Sequence, residues 1–325
     1  MELFKQGRVY DFMRLNKVIF SASMMVVMLS IWLILTKGFV FGIDFAGGTI
    51  VQVRYDRPVV IEELRNHLRQ TPIGDVEIQE FGSPEEIVLR LKKSSTTMGR
   101  DIGDEVHAAL AGTGSFEIRR VDMVGPKVGK ELTEKGIMAL ALTVLGIMIY
   151  TAFRFEWRFG VAAILALVHD IIITAGMISL FEVEFDLTVL AALLTILGYS
   201  INDTIVIFDR IREKIVEAKP QASYNLAVLI NEGVSETLSR SVLTVVTVFF
   251  VVLTLYLFGG QIIHGFSFAM LIGVIIGAYS SIYMASPLLI WLGYDIAKAK
   301  AKLAEKERKR IEKERQRAQY EQGVV

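Results

Sequence analysis

Leu187–Phe208 reads LTVLAALLTILGYSINDTIVIF, and its only formal charge is Asp203. A helix needs about 20 apolar residues to cross the hydrocarbon of a bilayer, so this stretch reads as a membrane span. An ionised carboxylate at that depth costs at least ~2.5 kcal/mol, and such a residue is kept where it is paired or where it works. The next cation in the chain, Arg210, lies beyond the span. One stretch thus fixes the solvent of the fold and the place to look for chemistry.

Composition agrees with a membrane protein. Hydrophobic residues make up 53% of 325 residues, and mean hydropathy is +0.47, too apolar for an ordinary soluble domain. Net charge is +0, so bulk charge points to no partner. There are no cysteines, which excludes disulfides, thiolate metal sites and cysteine nucleophiles.

Five further segments are long and apolar enough to span: Val18–Thr36, Ile137–Phe155, Gly160–Leu180, Val242–Phe258 and Phe266–Leu292. The first is not a cleaved signal peptide on this reading, because it is long for one and Thr36-Lys37-Gly38 is a poor cleavage site. Lys and Arg in the flanks set orientation. They gather at Lys5, Arg8, Arg14 and Lys17, at Arg154 and Arg158, at Arg210, Arg212, Lys214 and Lys219, and in the tail. Phe181–Asp186 carries only acids, and Gly259–Gly265 has no Lys or Arg. Both termini are therefore expected in the cytoplasm, with residues 1–17 as a lead, 209–239 as a cytoplasmic loop and 293–325 as a charged tail.

Residues 37–136, between the first and second spans, are expected outside the cytoplasm as a soluble domain. Thr49–Tyr55 alternates like a strand, Val60–Gln70 has helical spacing, and Val76–Phe81 and Ile87–Leu91 read as strands around a Gly-Ser-Pro turn. Ile102–Leu110 is a second amphipathic helix, and Phe116–Val121 a last strand. The order βαββαβ predicts a small α+β ferredoxin-like domain, set between the first span and a five-helix remainder over 137–292.

The ionisable groups expected within the spans are His169, Asp170, Asp203 and Arg240. Asp203 lies ~9 Å above Asp209 on the fourth span, and Arg240 ~6 Å above Glu236 on the fifth, at 1.5 Å per residue. The depths nearly match, so an Asp203–Arg240 pair is geometrically open and would relieve both desolvation costs. The plainer readings are a snorkelling anchor for Arg240 and a structural hydrogen-bonding group for Asp203. The functional reading is a proton or ion carrier: burial disfavours a carboxylate's charged form, and a movable cation nearby switches it. Asn202 is polar but cannot titrate. His169 and Asp170 read either as relay partners of Asp203 or as a contact between helices. They are not a metal site, since neighbours on a helix diverge and no other ligands are evident.

Gly273-Val-Ile-Ile-Gly277 allows close helix approach, by static packing or by sliding. Nucleotide chemistry has no support, because Gly47-Gly48-Thr49 lacks the lysine and spacing of a Walker A loop. No Ser/His/Asp arrangement with a suitable context is visible. Asp209 reads as a boundary residue pairing with Arg210 or Arg212. The tail, Asp295–Gln322, is a polar helix of mixed charge, read as solvated or as touching anionic lipid or a ribosome.

Seven stretches together resemble the SecF side of the SecD/SecF family, in the RND superfamily: FGIDFAGGT (Phe41–Thr49), VGPKVG (Val124–Gly129), FRFEWR (Phe153–Arg158), ALVHDIIIT (Ala166–Thr174), GYSINDTIVIFDRIRE (Gly198–Glu213), ETLSRS (Glu236–Ser241) and YLFGG (Tyr256–Gly260). The resemblance covers residues 10–292 and leaves the tail outside. It implies an accessory, non-enzymatic subunit of the bacterial inner-membrane Sec machinery. SecD would be its partner, acting with SecYEG on a translocating preprotein after the SecA ATPase; YajC is a further candidate partner. No cofactor or specific nucleic acid is implied beyond a proton gradient, with Na⁺ as the other candidate coupling ion. The resemblance assigns Asp203 and Arg240 to a proton path that a SecD carboxylate completes. The short lead looks like the form encoded apart from SecD. Two alternatives stay open: an RND-type exporter of small molecules or lipids, and an assembly factor in which buried charges only pair helices.

Overall fold

A computed structural model describes residues 8–74, 76–91, 102–218 and 225–321. Lys5, Lys219 and Gln322 lie outside the described residues. Among the described residues six helices are long and apolar enough to cross a membrane. They are α1 (Asn16–Thr36), α5 (Pro126–Arg154), α6 (Trp157–Leu180), α7 (Leu187–Glu217), α8 (Leu226–Phe258) and α9 (His264–Ser280), which continues through a π turn, Ser281–Ala285, into α10 (Ser286–Trp291). Between α1 and α5 lie α2 (Ile43–Ala46), β1 (Gly48–Tyr55), α3 (Ile61–Arg69), β2 (Glu77–Phe81), β3 (Ser83–Leu91), α4 (Ile102–Ala109) and β4 (Phe116–Val124). The tail is α11 (Ile296–Glu321).

The small domain is a four-stranded antiparallel sheet in the order β2-β3-β1-β4. That order, with α3 and α4 in the crossovers, is the one two interleaved βαβ units produce. Strand alternation builds its core: Val51, Val53 and Tyr55 of β1 and Ile87 and Leu89 of β3 turn inward onto Leu64 and Leu68 of α3 and Val106 of α4. β3 begins at Ser83, earlier than the expected Ile87, because Gly82 at φ 82° reverses the chain in place and Phe81 pairs with Ser83. β4 runs to Val124 and carries a bulge opposite Gln52 and Val53. Short α2 had no signal in the sequence.

In the bundle, α6 and α7 are central and bury more than half of their apolar windows, whereas α1, α5 and α8 bury less than a fifth of theirs. Gly273 and Gly277 let α9 close on α7, against Ile196 and Ser200. The segment 209–239, expected as a loop, is helix as far as Glu217 and again from Leu226. Ile211, Ile215, Leu229, Ile230 and Val234 carry a buried apolar stripe past the span and keep both helices wound.

The sheet domain is tied to one end of the bundle. Gly42 donates its amide to Phe185 O, Phe185 donates to Val40 O, and Leu187 donates to Asp44 Oδ2. Phe39, Phe41 and Phe45 pack their rings around Phe185, and Arg90 of β3 is ion-paired with Glu184. Gly48, at φ 136°, sits against the Leu91 carbonyl, where a Cβ would meet the oxygen at 2.8 Å. At the opposite end of the bundle Met13 donates its amide to Asn231 Oδ1 of α8, and Tyr294 packs on Phe159 of α6.

Candidate functional site

Asp203 is buried on α7, 8% exposed. Its helix is started by Asp186, whose carboxylate accepts from the Val189 amide. Ile201, Thr204, Ile207 and Phe208 share the buried side of α7 with Asp203. Ser241 of α8 donates to Asp203 Oδ1 at 2.7 Å. Oδ2 is buried and has no hydrogen-bond partner among the described residues.

The Asp203–Arg240 pair that the matching depths left open is not an ion pair among the described residues. Ser241 faces α7, and one residue turns a helix by about 100°, so Arg240 is swung to the exposed side of α8. Asn202 is likewise exposed, one residue out of phase with Asp203. Asp209 pairs with neither Arg210 nor Arg212. It meets Arg154 at the end of α5, at 2.7 Å. Arg210 and Lys214 instead converge on Glu236 of α8.

His169 and Asp170 do not reach Asp203. They form a second, separate polar cluster on α6, and both are buried. Although they are neighbours in sequence, His169 Nδ1 and Asp170 Oδ1 are 2.8 Å apart. Ser200 of α7 and Ser280 of α9 donate to Asp170 Oδ2 at 2.6 and 2.9 Å. His169 Nε2 meets Ser23 Oγ of α1 at 2.5 Å and Tyr279 Oη of α9 at 3.2 Å. A Ser23–His169–Asp170 chain is thus present, although no spacing in the sequence announces it. Ser23 is buried mid-helix in α1, where its neighbours' amides are committed to the helix. Among the described residues no cluster of His, Asp and Glu could hold a metal ion.

Sequence reasoning missed Ser23, Ser200, Ser241, Tyr279 and Ser280. Single hydroxyls in membrane helices are common, and the partners here lie as far as 256 residues apart in the chain.

The family "Protein export membrane protein SecD/SecF, C-terminal" matches residues 105–295, and the "SecD/SecF GG Motif" matches residues 32–59. The chain is 47% identical to the protein translocase subunit SecF of Helicobacter pylori J99, over 100% of both chains. It is 39% identical to SecF of Escherichia coli O157:H7, over 94% of this chain and 95% of that one. The crystal structure of SecDF from Thermus thermophilus, described as a translocon-associated membrane protein, superposes with a TM-score of 0.81 at 34% identity. That match takes in 90% of this chain but only 40% of the SecDF chain.

Proposed function

Because this chain belongs to the SecD/SecF family of protein-export membrane proteins, we propose that it is the SecF-type accessory subunit of a bacterial Sec translocase in the inner membrane. It works with SecD and uses the proton gradient to promote preprotein movement across the membrane. The role is transport, without bond-making chemistry.

The observation that carries the proton-coupled part is Asp203, a buried carboxylate with one oxygen held by Ser241 and the other without a partner among the described residues. Such a group gains a proton at little geometric cost, because Oδ2 can carry it while Oδ1 keeps its bond. Arg240 is exposed on the neighbouring helix, one residue from Ser241. The sheet domain stands outside the cytoplasm and the chain's two ends inside, by the Lys and Arg asymmetry of the loops. SecYEG, the translocating chain and YajC complete the partners, and H⁺ is favoured over Na⁺ because Asp203 offers too few oxygens for a Na⁺ cage.

A small-molecule or lipid exporter has one feature in its favour. A cleft of ≈ 440 Å³ lies between the open face of the sheet (Gln52, Arg90, Arg120) and the bundle-end loops (Glu184, Asp186, Gln261). Secretion of a reporter preprotein in cells carrying Asp203→Asn separates the readings, with SecD copurification followed in parallel. Slowed secretion with an intact complex supports the translocation reading. Normal secretion with altered drug or lipid sensitivity overturns it.

A further inference from the structure

The cluster around His169 is not used by the site at Asp203, and its hydrogen-bond inventory is unusual. Asp170 is fully enclosed and sits among three donors: Ser200, Ser280 and the imidazole. With Asp170 ionised the carboxylate only accepts, so His169 Nδ1 then carries the proton, and in the neutral ring Nε2 is an acceptor. Nε2 faces two hydroxyls, Ser23 and Tyr279, which are themselves 2.8 Å apart. One of them donates to the ring, and the other can donate to its fellow.

In this state the node holds a net charge of −1 inside the membrane. A proton on Nε2 brings it to zero and converts His169–Asp170 into an ion pair, which a low-dielectric interior favours over a lone charge. The protonated Nε2 then donates to Ser23 Oγ. Where Ser23 donates to the ring and Tyr279 to Ser23, both hydroxyls then rotate, and the direction of the Tyr279–Ser23–His169 chain reverses. Few other charges act there. α1 has none from Val18 to Thr36, α5 none from Gly136 to Phe153, and the Gly265–Trp291 stretch none. α7 offers Asp203, which bonds toward α8. Of the remaining titratable groups, Tyr150, Tyr199 and Tyr283 make no hydrogen bond to the ring among the described residues. His264 stacks on Tyr256 at the far end of α9.

We propose that His169 and Asp170, with Ser23 and Tyr279, form a second proton-holding node of the membrane domain, whose loading reverses the hydrogen bonds between α1 and α9. The node rests on the proton-coupled reading above and adds to it a positioning element. α1 leads through α2 into β1, so the reversal acts on the helix that carries the sheet domain. The π turn adjoining Ser280 gives the α9 side a local irregularity of the kind found at functional sites.

Ring ¹⁵N NMR of the full chain, assembled with SecD in liposomes, reads the node directly. The chain has four histidines, and His169→Gln assigns the resonance of interest. The expected result is a ring that is neutral and protonated at Nδ1 on the alkaline side and becomes an imidazolium on acidification. Asp170→Asn should lower the midpoint by at least about one unit, a tenfold loss of proton affinity. A ring that stays neutral throughout, or a midpoint that Asp170→Asn leaves in place, overturns the proposal. Transport gives the second readout. His169→Gln keeps an amide for Ser23 but takes no proton, so transport should persist with its acid-side pH dependence flattened; a wild-type pH profile also overturns the node. Asp203→Asn keeps the two readings apart. If it transports normally while His169 titrates, the coupling site at Asp203 falls and the node stands. If it blocks transport while His169 never charges, the node alone falls.

Discussion

Ser241 Oγ stands 2.7 Å from Asp203 Oδ1 and anchors that oxygen against α8, leaving Oδ2 buried without a partner among the described residues. The carboxylate is therefore held by one oxygen and free to change protonation at the other. Asp170, by contrast, has hydrogen-bond partners on both oxygens.

Asp203→Asn keeps the volume and the Ser241 bond but carries no charge and releases no proton. Preprotein secretion should fall by about 10² or more, the scale on which removing a proton-transfer group acts. SecD should still copurify. The check is pulse-chase secretion alongside affinity capture of the complex.

Ser241→Ala removes the donor and leaves the carboxylate in place. A hydrogen bond to a charged group contributes about 1.5 kcal/mol, which converts to a loss of roughly tenfold in transport rate. Ser241→Thr restores the hydroxyl and should recover most of it. Equal loss in both variants would mean that packing at this position matters more than the bond.

Gly176 of α6 faces Ser30 of α1 so closely that a Cβ would run into its backbone. Gly176→Val should lower the stability of the subunit by about 1–3 kcal/mol, the cost of overpacking a tight contact. Thermal unfolding in detergent measures it, and an unchanged midpoint would show that α1 can move off α6 freely.

Glu184, outside the spans, is a pH-sensitive part of the joint between sheet domain and bundle. Burial pushes its carboxyl up, more than the Arg90 guanidinium pulls it down, and Asp186 and Glu77 add to the rise. The sign follows: a carboxyl raised in the docked state favours docking while it is protonated. That contribution is whole below the ordinary carboxylate range near pH ~4 and is lost as pH rises through the raised value. Hydrogen exchange at the Phe185 amide, corrected for intrinsic rate, should be slower on the acid side. Glu184→Gln should flatten the difference; a joint that tightens as pH rises would contradict the assignment.

The membrane class and six spans were legible because a run of about twenty apolar residues has the length and polarity of a bilayer core. The sheet was legible because β1 alternates cleanly, Val51, Val53 and Tyr55 against Ile50, Gln52 and Arg54. Asp203 was legible as a charge in an apolar run. Depth along a helix could also be counted from the sequence, and it put Arg240 level with Asp203. Rotation could not: whether Arg240 or Ser241 faces α7 depends on the packing of α8, and one residue decides it. The hydroxyl partners of His169 were invisible for a related reason. Ser23 and Tyr279 are brought together by the crossing of α1, α6 and α9, which no local pattern encodes. The expected loop over 209–239 failed because hydropathy reports a span's apolar length, while Ile211, Ile215 and Ile230 continue the helices as amphipathic ones.

Where the chain enters and leaves the sheet domain, its two strands of backbone are pressed together. A Cβ on Gly47 would touch Pro126 at 3.1 Å, and one on Gly129 would meet the Phe45 carbonyl at 2.9 Å. The domain thus hangs from a doubled stem, and a load on it is shared by α1 and α5 at once. Those two helices expose most of their spans to the surroundings of the bundle. A tug on the sheet domain would therefore reach the membrane through two helices together, one of which, α1, is closely packed on α6 at Gly176 and Ser30.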